Sequence, residues 1–265
     1  MIVDLHLHSG FSFDSSEKYE NYLSEARRRG ESILGFSEHY DLDAIRDGAQ
    51  DISLADISAY RDKILRLRHG FNDVLFGIEF GYRASVLNEY RALIDKYDFD
   101  YVINSVHSLE GRGDCYHDSF FDGKPLEESY RDYLNAVYES VTADWDYQIV
   151  GHIGYASRYR KGGNVRITYN AFSDIFDKIL TEIIRRDKCL EVNTSTGVSG
   201  SAFLPDEDIL RRYIALGGRK LSFGSDAHSA DKYLKRSAET AEMLKRLGVH
   251  TLYYYKKRIA IAYNI

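Results

Sequence analysis

The sequence predicts an α/β fold: a barrel of about seven strand–helix units with a metal site at the carboxyl ends of its strands. Seven short apolar runs alternate with segments of helical periodicity, a pattern typical of parallel βαβ units. In chain order the runs are IVDLHLH, ILGFSEH, VLFGIE, YVINSVH, YQIVGH, CLEVN and LSFGSDAH. Six of the seven end on His, Glu or Asp. Because a core strand has no packing reason to end on metal-ligand residue types, the pattern predicts a site at one pole of the barrel.

Helical spacing of apolar residues marks the segments between these runs. One segment ends before Gly30, a residue type that suits a helix C-cap, and another follows Pro205. The predicted helices cover residues 17–29, 54–69, 126–142, 173–187, 206–216 and 236–247. Long loops, which in compact domains usually carry binding function, are predicted at 41–53, 108–125, 153–168 and 194–204. No GxGxxG fingerprint follows a run, which favours a barrel over an open sheet with a dinucleotide crevice.

Length and composition predict one large domain spanning residues 1–265. The net charge of −6 argues against a nucleic-acid surface, and no run approaches the ~20 apolar residues of a membrane span. The chain opens on a strand-like run, which leaves no room for a signal peptide. Cys115 and Cys189 lack CxxC spacing and indicate free thiols in a reducing compartment. These features predict a cytoplasmic protein without nucleic-acid or membrane partners, and they leave the oligomeric state open.

The strand ends supply enough ligands for three divalent metal ions. His6 and His8 are two residues apart on one strand, so both imidazoles face one side and can bind the same metal. Glu79 ends an apolar strand, where a lone carboxylate would be costly without a cation, and its two oxygens can bridge two metals. The predicted sets are His6, His8, Glu79 and Asp226; Glu79, His107 and His152; and Asp14, His39 and His228. About three ligands per ion leave positions open for water and substrate, and N/O ligands accept Zn, Mn or Fe.

Other polar residues near the strand ends are assigned lesser roles. Glu38 alternates to the opposite side of its strand from His39, so we interpret it as a support for the ligands or an ion-pair partner. Asn193 ends its run as a neutral hydrogen-bonding residue for substrate or ligands. His69 and His250 lie near helix ends, where a structural role is the ordinary interpretation.

The order of these motifs resembles the PHP (polymerase and histidinol phosphatase) superfamily. The matching stretches are DLHLHS at 4–9, Asp14, SEH at 37–39, GIE at 77–79, SVH at 105–107, GHI at 151–153 and GSDAH at 224–228. This resemblance implies a distorted (β/α)7 barrel, a trinuclear metal centre built from the same three ligand sets, and phosphoester hydrolysis. Residues 151–160 and 190–197 are similar to those of monofunctional L-histidinol-phosphate phosphatases. That narrower likeness implies hydrolysis of L-histidinol phosphate to L-histidinol and phosphate in histidine biosynthesis.

The expected reaction is in-line attack on phosphorus by a hydroxide that bridges two metals. Two arginines follow the His152 strand and could bind the phosphate through a bidentate fork: Arg160 is the first candidate and Arg158 the second. The alternative is that they belong to a solvated basic loop. Asp226 or His228 would protonate the departing alkoxide. The imidazole and ammonium groups of the substrate would need acidic and aromatic neighbours. Candidates for these contacts are Glu17, Tyr116, His117 and Tyr155, with His117 equally interpretable as a surface residue.

Three alternative functions stay open. The first is another phosphoesterase of the superfamily, acting on nucleotides, sugar phosphates or nucleic-acid ends. The second is a metal-dependent amidohydrolase, which would need a metal-bridging Lys where this chain has Val106 and His107. The third is a catalytically silent metal-binding module, which should lack one or more of the predicted ligands; none is missing from the sequence.

Overall fold

A computed structural model describes residues 2–30, 32–42, 44, 52–71, 73–158, 160, 165–196 and 203–265. Its strands are β1 (Ile2–Leu7), β2 (Ser32–Tyr40), β3 (Val74–Gly81), β4 (Tyr101–Ser105), β5 (Ser108–Leu109), β6 (Gly113–Asp114), β7 (Ile149–Val150), β8 (Cys189–Asn193), β9 (Leu221–Gly224), β10 (Thr251–Lys256) and β11 (Ile259–Asn264). Seven of these pair in parallel in the order β1-β2-β3-β4-β7-β8-β9. They correspond to the seven apolar runs, and the predicted barrel of strand–helix units is confirmed.

The barrel closes at the carboxyl ends of its strands. Leu7 at the end of β1 forms a parallel bridge with Ala227, which follows β9. The amide of His8 donates a hydrogen bond to the carbonyl of Ala227 over 2.9 Å. This closure brings the first and last barrel strands together at the pole where the polar strand ends lie.

The described helices surround the strands. They are α1 (Tyr19–Arg29), α2 (Ile57–Arg68), α3 (Leu87–Lys96), α4 (Leu126–Thr142), α5 (Ser173–Arg185), α6 (Glu207–Ala215) and α7 (Ser237–Arg246). The six predicted helices are confirmed, with ends shifted by a few residues. The prediction omitted α3, although Tyr90 and Ile94, both buried, have the spacing of one helix face.

The C-terminal hairpin of β10 and β11 was also not predicted. Its turn residues, Lys257 and Arg258, adopt positive φ angles of 51° and 64°, where Asn or Gly is the usual residue type. Asp100 stabilises this turn: its Oδ1 accepts a hydrogen bond from the Lys257 amide at 2.9 Å, and its carbonyl accepts one from the Arg258 amide at 2.8 Å. The turn therefore depends on a residue far away in sequence, and a local pattern could not reveal it.

An aromatic core fills the barrel below the polar pole. The ring of Tyr101 extends from β4 to β1, where its hydroxyl donates to the carbonyl of Leu5 at 2.7 Å. Gly35 and Gly77 leave room for this ring, because a Cβ atom at either position would collide with it. The interior is thus closed by side chains, as in other small barrels, and the open end is the carboxyl end.

The long predicted loops are described in part. Loops 41–53, 153–168 and 194–204 lie partly outside the described residues, while loop 108–125 contains β5, β6 and a 3₁₀ turn at Asp118–Phe121. Within the described ranges, no helix has the length and apolarity needed to cross a membrane.

Candidate metal centre

The nine predicted metal ligands converge at the carboxyl ends of the barrel strands. His39 and Glu79 are direct partners in the register of β2 and β3. Buried ligands, exposed by 8% or less, are His6, His8, His39, Glu79, His107, His152 and Asp226. Asp14 and His228 are partly exposed at the rim. Strand pairing therefore gathers residues spread over most of the chain into one polar cluster.

Glu79 lies at the centre of this cluster. Its Oε1 is 2.8 Å from Nε2 of His152 and 3.2 Å from Nε2 of His107. Its Oε2 is 3.0 Å from Nδ1 of His39 and 3.1 Å from Nε2 of His6. The two oxygens thus face different imidazoles, which is the arrangement needed for a carboxylate shared by two metal ions.

Several groups of ligand atoms are compact enough to hold one cation each. They are Glu79, His107 and His152; His6, His8 and Glu79; His6, His152 and Asp226; His8, His39 and His228; and His39, Asp41 and His107. The first group is the second predicted set. Oδ1 of Asp226 lies 3.4 Å from Nε2 of His8, and Oδ2 of Asp14 lies 2.9 Å from Nε2 of His228. His8 accordingly lies between the first and third predicted sets.

The geometry of the buried atoms fits bound divalent cations. Among the described residues, the buried atoms without a hydrogen-bond partner include Nε2 of His6, Nε2 of His8, Nδ1 of His39, Oε2 of Glu79 and Nε2 of His228. A buried polar atom without a partner costs about 1–3 kcal/mol, so several in one cluster need an explanation. These nitrogen and oxygen atoms approach one another without the alignment of hydrogen bonds. Coordination of cations by the same lone pairs would satisfy them.

Two carboxylates contact the ring nitrogens of ligand histidines on the side that faces away from the cluster. Neither was predicted from the sequence. Oε1 of Glu191 is 2.6 Å from Nδ1 of His6, and Oε2 accepts a hydrogen bond from the amide of His152 at 2.7 Å. Oδ1 of Asp41 is 3.0 Å from Nδ1 of His107. Such contacts orient a metal-binding imidazole and increase its basicity.

A sequence signal for Glu191 did exist. It precedes Asn193 by two residues on β8, so strand alternation places both side chains on one side. Nδ2 of Asn193 lies 3.4 Å from Oδ2 of Asp226, which makes Asn193 a neighbour of the ligands. Glu38 accepts hydrogen bonds from the side chains of Ser12 at 2.7 Å and Tyr19 at 2.7 Å, which fits the supporting role predicted for it.

Burial and the close packing of charges shift the pKa values of several predicted ligands. Burial opposes ionisation of Glu79, but the charges of His6 and His39 hold the pKa of Glu79 well below its usual range. Burial also opposes protonation of His39, yet the charges of Glu79 and Asp14 raise the pKa of His39 to about 9. Burial and neighbouring imidazoles lower the pKa of His8. Metal binding at this pole must therefore displace protons from some of the imidazoles.

The two arginines predicted to bind phosphate lie in different surroundings. Nη1 of Arg158 is 2.6 Å from Oδ2 of Asp226, and the side chain is buried. Nη1 of Arg160 is instead 2.6 Å from Oδ1 of Asp118, an exposed carboxylate. The structure thus brings Arg158, and not Arg160, into contact with the ligand cluster.

A cavity of about 400 Å³ opens beside the ligand cluster. It is lined by Phe13, Asp14, Ile52, Asp114, Tyr116, His117 and Tyr155. Three of these, Tyr116, His117 and Tyr155, are predicted substrate contacts. Asp114 was not predicted; its Oδ1 accepts hydrogen bonds from the Tyr116 amide at 2.7 Å and the Tyr155 hydroxyl at 3.2 Å, and burial raises the pKa of Asp114.

Glu17, the remaining predicted substrate contact, is not part of the cavity lining. Its carboxylate accepts a hydrogen bond from the Ala230 amide at 2.8 Å and another from Nδ2 of Asn21 at 2.6 Å. These contacts connect the start of α1 with the segment that follows β9.

Comparisons with known proteins find a matching family and similar proteins. The model of the PHP domain matches residues 4–195. A histidinol-phosphatase of Lactococcus lactis subsp. lactis is 30% identical over 254 residues, which cover 94% of this chain and 93% of that protein. A probable histidinol-phosphatase of Clostridium acetobutylicum is 29% identical over 262 residues, covering 99% and 100%.

A solved structure is similar over nearly the full length. The crystal structure of histidinol phosphate phosphatase from Lactococcus lactis, complexed with zinc, L-histidinol and phosphate, superposes with a TM-score of 0.87 at 27% identity. The match covers 98% of this chain and 100% of that one. The matched domain model, the relatives and the ligand cluster at the strand ends lead to one conclusion: the chain belongs to the PHP domain family.

Proposed function

We propose that this chain hydrolyses L-histidinol phosphate to L-histidinol and inorganic phosphate with divalent metal ions bound at the candidate metal centre. The observation that carries the proposal is the convergence of predicted ligand atoms, several of them buried without a hydrogen-bond partner among the described residues. The choice of substrate is supported by the Lactococcus lactis enzyme, whose structure contains L-histidinol and phosphate together with zinc.

Three metal ions would be held by the three predicted ligand sets, two of which share Glu79. Their members are His6, His8, Glu79 and Asp226; Glu79, His107 and His152; and Asp14, His39 and His228. When bound, divalent ions supply Lewis acidity, which activates water and offsets the charge of phosphoryl oxygens. Zinc is supported by the similar structure, and the ligand types also accept Mn or Fe.

Arg158 is the residue best placed to bind the phosphate. Its contact with Asp226 holds the guanidinium at the edge of the ligand cluster, in a buried position. A planar guanidinium can donate two parallel hydrogen bonds to a phosphate and stabilise the charge of its oxygens. Arg160 contacts the exposed carboxylate of Asp118 instead.

The contacts of Asp226 and His228 limit how either residue could protonate the departing alkoxide. Burial opposes ionisation of Asp226, but the charges of Arg158 and His6 hold its pKa well below the usual range. Asp226 therefore carries no proton near neutral pH. Nδ1 of His228 lies 3.1 Å from the carbonyl oxygen of Asp226, which can only accept, so this carbonyl holds the proton on Nδ1 while Nε2 faces the ligand cluster.

The cavity beside the metal centre would receive the organic part of the substrate. Histidinol carries an ammonium group and an imidazole, which need a carboxylate and aromatic walls. Asp114 offers the carboxylate, and Tyr116 and Tyr155 offer the aromatic rings. The cavity volume of about 400 Å³ is in the range of sites for small molecules.

The test is phosphate release by metal-free protein reloaded with Zn, Mn or Fe, measured on a panel of esters. The panel contains histidinol phosphate, phosphoethanolamine, glycerol phosphate and a nucleoside monophosphate. We expect metal-dependent turnover with the highest kcat/KM on histidinol phosphate, and a selective loss of that preference in Asp114→Asn. Metal-dependent turnover without preference for histidinol phosphate would instead support the alternative, a PHP-family phosphoesterase for another small ester or nucleotide.

A further inference from the structure

Ser12 links a metal-ligand imidazole to a buried carboxylate. The hydroxyl is buried, and its Oγ makes three contacts of hydrogen-bond length. It lies 2.7 Å from Oε2 of Glu38, 3.0 Å from the backbone nitrogen of His39 and 3.1 Å from Nδ1 of His8. No role for Ser12 follows from the metal-ligand pattern, because Ser is not among the ligands.

The direction of each of these hydrogen bonds can be derived by counting protons. A hydroxyl has one proton to donate and two lone pairs that accept. The amide of His39 can only donate, so it occupies one lone pair of Ser12. The Glu38 carboxylate accepts, so it takes the single Ser12 proton. The remaining lone pair of Ser12 faces Nδ1 of His8, and this nitrogen must therefore carry the proton.

Glu38 is held as an acceptor by donors other than Ser12. Its Oε2 accepts from the backbone amide of Ser9 at 3.0 Å, and its Oε1 accepts from the Ser9 hydroxyl at 2.5 Å. The hydroxyl of Tyr19 also donates to Oε1, at 2.7 Å. With both oxygens engaged, the carboxylate has a fixed position and the Ser12 hydroxyl has a fixed direction.

The proton on Nδ1 leaves the lone pair of His8 on Nε2. That atom lies 3.4 Å from Oδ1 of Asp226 and 3.6 Å from Oε2 of Glu79, and it makes no hydrogen bond among the described residues. The His8 ring stacks against the rings of His39 and His228, with centroid distances of 4.2 Å and 4.3 Å. A half-turn of the ring about the Cβ–Cγ bond would put Cε1 in the place of Nε2, so the Ser12 contact fixes the orientation in which Nε2 faces the cluster.

Two other imidazoles of the centre need no such arrangement. Nδ1 of His6 faces Glu191 and Nδ1 of His107 faces Asp41, and a carboxylate can only accept. His8 faces a hydroxyl, which could donate or accept. Glu38 removes that ambiguity.

We propose that Glu38 and Ser12 form a positioning relay that keeps the proton of His8 on Nδ1 and directs Nε2 toward a bound metal ion. The proposal rests on the proposed function in one respect, the binding of divalent metal at this pole. It does not depend on which phosphate ester is the substrate. Ser12 is a positioning residue, since it acts through His8.

The experiment measures the zinc affinity of the full-length protein by competition with a chromophoric chelator, together with the number of ions bound per chain. We expect Ser12→Ala to weaken the affinity for at least one zinc ion by about 10- to 100-fold, the usual effect of removing a group that orients a ligand. Ser12→Thr keeps the hydroxyl and should recover most of the lost affinity. Melting temperatures of the metal-free variants report whether each chain is folded.

Ser9→Ala is the matched control. It removes a hydroxyl that also donates to Glu38, by the same Ser-to-Ala change, but the Ser9 side chain has no contact with an imidazole among its hydrogen bonds. Because the Ser9 amide and the Tyr19 hydroxyl still hold Glu38 in this variant, we expect Ser9→Ala to lose much less zinc affinity than Ser12→Ala. A difference between the two variants supports the Ser12–His8 contact as the cause.

Two results would overturn the relay. One is unchanged zinc affinity in folded Ser12→Ala. The other is an equal loss in Ser12→Ala and Ser9→Ala that Ser12→Thr does not recover, since this would indicate a packing effect around Glu38. A different result would contradict the proposed function. In that case the unmodified chain would bind zinc, with the relay intact, and would still not prefer histidinol phosphate.

Discussion

At the residue scale, four of the six imidazoles of the metal centre share one arrangement. In each of them one ring nitrogen faces the other ligands, and the second nitrogen contacts a neighbouring oxygen atom. The pairs are His6 with Glu191, His8 with Ser12, His107 with Asp41, and His228 with the Asp226 carbonyl. These contacts fix which ring nitrogen keeps its proton when the other nitrogen binds a metal ion.

The two loop arginines give a prediction at the same scale. Because Arg158 contacts the ligand cluster and Arg160 contacts Asp118, we expect Arg158→Lys to lower kcat/KM by about 10²-fold or more through loss of the bidentate fork. Arg160→Lys is the matched control and should change kcat/KM by less than about threefold, as expected for an exposed ion pair. Steady-state kinetics on histidinol phosphate measures both. The reverse order would assign phosphate binding to Arg160.

At the scale of secondary-structure elements, the close approach of neighbouring strands positions the ligands. β8 and β9 pair in parallel from Leu190 to Asn193, which places Glu191 beside Gly224 and His6 of β1. Glycine is needed at position 224 because any Cβ would collide with Oε1 of Glu191 and would lie 2.7 Å from Cβ of His6. The strand thus leaves the space in which Glu191 holds His6.

We therefore expect Gly224→Ala to weaken metal binding through a displaced Glu191. The added methyl group pushes the carboxylate from Nδ1 of His6, and loss of such a contact typically costs 10- to 100-fold in metal affinity. Metal content after dialysis and phosphate release measure the effect. Gly248→Ala is the comparison variant. A Cβ at position 248 meets no described atom within 4 Å, and the φ of 79° means that this substitution adds only backbone strain. Equal metal content in both variants would contradict the steric explanation.

At the scale of the whole molecule, metal binding and folding are linked through the charged cluster. Metal ions that bind only the folded chain stabilise it in proportion to their concentration and affinity. In their absence, protons on the imidazoles offset the buried carboxylates. The charges of Glu79 and Asp14, working against burial, raise the pKa of His39 to about 9 from an ordinary value of 6.5.

This linkage predicts that the melting temperature depends on pH in the metal-free protein and much less in the metal-loaded protein. A raised folded-state pKa means that the contribution of His39 is complete below about pH 6.5 and is lost as pH rises toward about 9. The melting temperature of the metal-free protein should therefore fall from pH 6.5 to 9. With zinc bound, cations replace the protons and this decrease should disappear. Thermal unfolding with zinc or with excess chelator measures both, and parallel pH profiles would contradict the prediction.

Much of the fold and the metal centre could be predicted because their signals are local. Each barrel strand shows its apolar run, and most ligands lie near the end of such a run or shortly after it, as with Glu79 in β3 and His152 after β7. Helix α3 also had a local signal, in the helical spacing of Tyr90 and Ile94, although the prediction omitted this helix. The C-terminal hairpin had none, because its turn depends on Asp100.

The sequence by itself determined the barrel, its strand order along the chain and the candidate metal ligands. Only the tertiary structure decided which polar residues support those ligands and which arginine lies beside them. Glu191 reaches His6 across 185 positions of the chain, and Arg158 reaches Asp226 across 68. Periodicity describes which side of its own element a residue faces, whereas these contacts depend on how the elements pack. Such pairings arise from barrel closure, which no local pattern encodes.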